Sequence, residues 1–151
     1  MEIVIRGHNF PGTMSRNAGV PIHNVHVGTQ VRNEPTDLVR ADAASAEWRL
    51  NVQVVAADGV DDFRGPAVHG RKGERFLYLT WGDVNENGGF TMFRRAKLML
   101  GDIDPALLAE AGESGAPIVA TVDLTDRYGG PLCGRLDPAL LHWKISPHAD
   151  T

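Results

Sequence analysis

A chain of 151 residues that is 42% hydrophobic and 23% charged has the make-up of one ordinary globular domain, which excludes a disordered or fibrous state. A formal charge of −4 speaks against non-specific nucleic-acid binding, which needs Lys and Arg to neutralise several phosphates. A single cysteine, Cys133, excludes an internal disulfide, so one hydrophobic core over residues 1–151 must supply the stability. Met1 to Arg6 lack the basic, apolar and small-residue regions of a signal peptide, and no apolar run is long enough for a bilayer. A cytoplasmic setting without membrane contact is expected.

Ile3, Val4 and Ile5 read as an opening strand, followed by a loop over 7–19 rich in Gly, Pro, Asn and Ser. In 21–33, His23, Val25, Val27, Thr29 and Val31 alternate with Asn24, His26, Gln30 and Arg32, the period of a strand with one apolar and one polar face. Thr36 is placed to cap a short helix over 36–45. The clearest alternation runs over 46–56, where Ala46, Trp48, Leu50, Val52, Val54 and Ala56 share one face, which must be buried. A long connection with Asp58, Asp61, Asp62 and several glycines comes next. In 75–81, Leu77, Leu79 and Trp81 lie on one face and Phe76, Tyr78 and Thr80 on the other, as in a central strand covered on both sides.

Asn87-Gly88 is a favoured turn pair. Beyond it Met92, Phe93, Ala96, Met99 and Leu100 recur at spacings of three and four, so 91–100 is expected to be an amphipathic helix. Asp104 before Pro105 caps a second short helix over about 105–111, ended by Gly112. Further strands are expected at 118–125, 132–136 and 140–145, the first two joined through Tyr128-Gly129-Gly130-Pro131. The pattern describes a mainly β (α+β) fold: a curved antiparallel sheet, or a partly closed β-barrel, packed against helix 91–100.

The segment from Asp62-Phe63-Arg64-Gly65-Pro66 to Arg75-Phe76-Leu77-Tyr78-Leu79-Thr80-Trp81 resembles the central signature of a small bacterial family of domains of unknown function. Phe90 to Leu98 and Leu132-Cys133 resemble further parts of the same pattern, which would cover most of the chain. The resemblance implies a complete domain and carries no reaction, cofactor or partner.

The densest chemistry lies between Arg64 and Arg75, where Arg64, His69, Arg71, Lys72 and Arg75 stand against Glu74 among Gly65, Gly70 and Gly73. Such a loop can offer guanidinium forks and backbone N–H groups to a carboxylate or phosphate. It can equally be a solvated turn in which Arg64 or Arg75 pairs with Asp58, Asp61 or Asp62. The spacing is not that of a nucleotide-binding P-loop. A pocket would form if Tyr78 and Thr80 met the polar faces carrying His26, Gln30 and Arg32, or Arg49, Asn51 and Gln53. His69 and Tyr78 are then the candidates for proton transfer, and Arg64, Arg75 and Trp81 for ligand contact.

His23 and His26 leave opposite faces of a strand, and His8, His142 and His148 show no ligand spacing, so no metal and no cofactor are expected. Gly112-Glu113-Ser114-Gly115 lacks the spacing of a nucleophile elbow, and Cys133 suits a buried strand better than a reactive site. Two functions fit. One is a domain with a pocket for a small anionic molecule, extending to a cofactor-independent isomerase, cyclase or hydrolase. The other is a noncatalytic interaction module whose basic residues Arg94, Arg95 and Lys97 meet an acidic partner or a second copy of the chain.

Overall fold

The computed structural model of the chain describes residues 1–8, 14–15, 21–22, 25–40, 45–57, 60–126 and 141–147. Among these residues twelve strands run in chain order: β1 (Glu2–His8), β2 (Met14–Ser15), β3 (Pro21–Ile22), β4 (Val25–Val31), β5 (Glu34–Arg40), β6 (Ser45–Asn51), β7 (Gln53–Ala57), β8 (Val60–Arg64), β9 (Phe76–Val84), β10 (Phe90–Met99), β11 (Ile118–Asp126) and β12 (Leu141–Pro147). Among the described residues one α-helix, α1 (Pro105–Ser114), follows a 3-10 turn at Leu100–Asp102 and lies between β10 and β11. The fold is mainly β, but its sheets are not closed into a barrel. One four-stranded sheet has the order β12-β11-β1-β6 and the other β10-β9-β4-β5, with β2-β3 and β7-β8 as separate two-stranded ribbons. The first sheet is mixed, because β1 and β11 pair in parallel, so the expectation of a purely antiparallel sheet is corrected.

An apolar cluster joins the two sheets. Ile3, Ile5, Trp48, Leu50, Ile118, Ala120 and Val122 come from the first sheet, and Val27, Leu77, Leu79 and Leu98 from the second. Each set follows the period of two that puts alternate side chains on one face. The other face of the first sheet carries buried Val4 and Val119 and, beside them, an ion ladder in which Arg6 pairs with Glu47, and Arg49 with Glu47 and Glu2. Helix α1 packs Leu107, Leu108 and Ala111 onto the same cluster. Asp104 caps it by accepting from the Ala106 N–H at 2.9 Å, as the sequence indicates, but the helix continues through Ser114 and ends at Gly115.

Two expected helices are strands. Residues 34–40 form β5, paired with β4, because Val39 is needed against the core and a helix there would leave β4 an unpaired edge. Residues 90–99 form β10, paired with β9 through the Asn87-Gly88 turn, where Gly88 has φ 79°. The register slips by one residue between Met92 and Arg94. That bulge changes the phase of the alternation, so a strand of period two imitates helical spacings of three and four. The continuous alternation over 46–56 is likewise divided: β6 belongs to the first sheet, β7 pairs with β8, and the Val52 N–H between them donates to the Met1 carbonyl at 2.8 Å. Strand β8 occupies part of the expected connection. The expected strand at 132–136 and its turn lie outside the described residues.

A second bulge ties the sheets together. Between Val27 and Thr29 the β4–β5 register slips, and Asp37 opposite takes the left-handed conformation with φ 54°. Its carbonyl accepts the Nε1–H of buried Trp48 at 2.9 Å, a bond from the first sheet to the second. Gly28 is required there, since a Cβ would stand 2.6 Å from the Thr36 carbonyl oxygen.

Candidate functional site

Strand β9 lies between β10 and β4, the central position its two apolar faces indicate. Leu77 and Leu79 enter the core, and Phe76, Tyr78 and Thr80 take the opposite face. Tyr78 and Thr80 are nonetheless buried. Thr80 Oγ1 donates to the Gly28 carbonyl at 3.1 Å, and a layer of side chains covers Tyr78.

That layer is built from β10 and the loop at 65–75. Lys97 stands opposite Tyr78 and Arg95 opposite Thr80 in the antiparallel register. Both lean one pair along the strand, a diagonal reach open to long side chains. The Arg95 guanidinium lies 4.2 Å above the Tyr78 ring centroid and the Lys97 ammonium 4.6 Å above that of Phe76. His69 completes the cluster, with its ring 4.8 Å from Tyr78 and 5.8 Å from Phe76, while Phe76 meets Tyr78 edge-on at 4.7 Å. The backbones of His69 and Phe76 exchange hydrogen bonds of 2.9 and 3.1 Å. The ring Nε2–H of His69 donates to the Gln30 carbonyl at 2.9 Å, which leaves Nδ1 as the nitrogen able to accept a proton.

The loop's cations are engaged with its own acids. Arg75 holds Asp62 through both carboxylate oxygens, with Nε at 3.0 Å and Nη2 at 3.4 Å, and its Nη1 donates to the Gly70 carbonyl. Arg64, mostly exposed, approaches the same carboxylate at 3.6 Å, and Arg71 pairs with Glu74 at 2.9 Å. Asp62 is buried, and the Arg75 hydrogen bonds hold its carboxyl below the ordinary value against the opposing effect of burial, helped by the Phe63 N–H. Arg75 and Asp62 thus fix the loop that carries His69, the arrangement in which an arginine pairs with an aspartate and sets the turn.

Among the expected site residues, His69 and Tyr78 come together, while Arg64 and Arg75 turn to Asp62. Trp81 pairs through its backbone with Val27 and Arg94, and its side chain lies outside the described residues. His26 and Gln30 share the outer face of their sheet with Tyr78, whereas Arg49 stands in the ion ladder of the other sheet. Ser114 ends α1 and accepts from the Ala116 N–H, so no nucleophile elbow forms there. Among the described residues no three His, Cys, Asp or Glu side chains gather where they could hold a metal ion.

Arg95 and Lys97 are the site residues that sequence reasoning placed on the wrong element. Neither has a carboxylate partner among the described residues, whereas Arg6, Arg49, Arg64, Arg71 and Arg75 each do. The signal that could have found them was the Asn87-Gly88 turn, which makes residues 90–99 the return strand of a hairpin.

Fold and surface together describe a mainly β domain of two open sheets sharing one core, with an aromatic and cationic outer face on the second sheet. The chain belongs to a family of unknown function, DUF5990, whose model matches residues 1–146. No curated protein and no solved structure matches it. No helix among the described residues is long and apolar enough to cross a membrane.

Proposed function

We propose that this domain binds a small anionic molecule, a carboxylate or phosphate, against the surface formed by His69, Tyr78, Arg95 and Lys97. The observation that carries the proposal is the pair of cations on β10 that have no acidic partner among the described residues of a protein whose net charge is −4. Cations laid on aromatic rings are partly desolvated and oriented before an anion arrives, which lowers the cost of ordering them. Arg64 and Arg75 take a supporting part, through Asp62 and the loop. The proposal concerns binding; isomerase, cyclase or hydrolase chemistry would have to use His69 Nδ1, since Nε2 is committed to Gln30.

The test is thermal unfolding of the full chain with inorganic phosphate and small carboxylates at constant ionic strength. A specific anion raises the midpoint with the logarithm of its concentration over Kd. The rise is expected in the wild type and in Arg71→Gln, and is expected to vanish in Arg95→Gln/Lys97→Gln. No rise with any anion, or a full rise in the double variant, would refute the proposal. A second reading is an interaction face for an acidic partner or another copy of the chain. It is favoured by the open, cationic character of this face: a cleft of about 620 Å³ lies beside Arg32, Glu34 and Pro66 and is not lined by His69, Tyr78, Arg95 or Lys97. Native mass spectrometry would reveal it as a dimer that the same double variant dissolves.

A further inference from the structure

Tyr78 is 8% exposed, and no described residue hydrogen-bonds its hydroxyl. Its surroundings are two rings and a guanidinium: His69 at 4.8 Å, Phe76 at 4.7 Å and Arg95 at 4.2 Å. Buried hydroxyls in folded proteins nearly always have a partner, because an unmet donor forfeits the bond it made to water. Thr80, two residues along the same face and 1% exposed, meets that rule by donating to the Gly28 carbonyl. Tyr78 has no such partner among the described residues, and it stands where two cations without carboxylate partners among the described residues converge.

We propose, building on the binding reading above, that the Tyr78 hydroxyl is the recognition donor of this site and that the ligand is a small dianionic oxyanion. Two cations, Arg95 and Lys97, ask for two negative charges. They leave the same face of β10 two residues apart and lie over adjoining rings, so one phosphate group or a short dicarboxylate is the kind of ligand that can meet both. The guanidinium that covers Tyr78 is the group such an anion engages. Drawing it from the ring towards the anion opens the hydroxyl, which donates to a ligand oxygen. His69, pinned to the Gln30 carbonyl, walls the other side and keeps the tyrosine ring in place.

Isothermal titration of the full chain with inorganic phosphate, succinate and acetate, at matched ionic strength, measures the three affinities. Phosphate or succinate is expected to bind at least about tenfold more tightly than acetate, the ratio distinguishing a phosphate from a dicarboxylate ligand. Tyr78→Phe is expected to weaken the preferred dianion by about tenfold to a hundredfold, the worth of a hydrogen bond to a charged acceptor. The unfolding midpoint of Tyr78→Phe without ligand is expected to be unchanged or higher, since only an unpaired group is lost. A structural hydroxyl would give the opposite pattern, a lower midpoint with affinity retained. In the wild type itself, the Tyr78 ring resonances are expected to move on phosphate or succinate addition.

If no anion binds the wild type, both this proposal and the binding reading fall. If a dianion binds but Tyr78→Phe binds it equally, or the Tyr78 ring resonances stay fixed, the hydroxyl role falls and the binding reading stands. Acetate binding as tightly as the dianions would overturn the ligand class.

Discussion

Replacing Trp48 by Phe probes the bond that joins the two sheets. Trp48 is 2% exposed, sits in the common core, and gives its indole N–H to the Asp37 carbonyl at 2.9 Å. Phenylalanine keeps the aromatic bulk near Cβ but removes the donor and part of the ring. Asp37 lies on the exposed strand β5, so water can take over part of the lost bond, and the hydrogen-bond cost falls at the low end, about 1 kcal/mol. The unfilled volume in a close-packed core adds about 1 kcal/mol. A loss of about 2 kcal/mol is expected, lowering the unfolding midpoint by roughly 4 to 8 °C for a chain of this size. Urea unfolding followed by circular dichroism measures it, with an unchanged m-value showing that the two states themselves are the same. In the wild type the indole N–H should be protected from hydrogen exchange. A loss below about 0.5 kcal/mol, together with a freely exchanging indole, would refute the sheet-to-sheet bond.

Gly28→Ala should destabilise the fold by about 1 to 3 kcal/mol in the same assay, because the added methyl meets the Thr36 carbonyl oxygen at 2.6 Å and Leu38 at 2.7 Å; a neutral result would mean the bulge is not held as described. The Asp62 carboxyl, held down by Arg75, should titrate below its ordinary value of 3.8 and move upward in Arg75→Gln, as read from side-chain carbon resonances. Because the folded-state value is depressed, the stability it contributes is complete above the ordinary carboxylate range and is lost as pH falls through the folded value. The wild type should therefore lose more stability than Arg75→Gln on acidification below about pH 4, and equal losses would count against the Asp62–Arg75 bond as the loop's anchor.

Local pattern was enough to show most of the stretches that lie in a sheet. The alternations around Trp48 and Leu50 and around Leu77 and Leu79 marked the core faces, since a half-buried strand must present one apolar side. Asp104-Pro105 set the start of α1 through local hydrogen bonding alone. Residue type and spacing also brought His69 and Tyr78 forward as site candidates. Whatever depended on partners distant along the chain stayed open. Residues 34–40 and 90–99 are strands because β4 and β9 need neighbours, and one bulge near Phe93 was enough to disguise the period of β10. The parallel pairing of β1 with β11 has no local signature, because every strand of the second sheet lies between Ile3 and Ile118 along the chain. The site divided in the same way. The loop's arginines were visible as a cluster of charge, but charge along a sequence does not say which cation has an acid beside it. It took the folded chain to show that Asp62 takes Arg75 and approaches Arg64, and that Arg95 and Lys97 lie on aromatic rings without a described carboxylate, because those neighbours come together only through strand pairing.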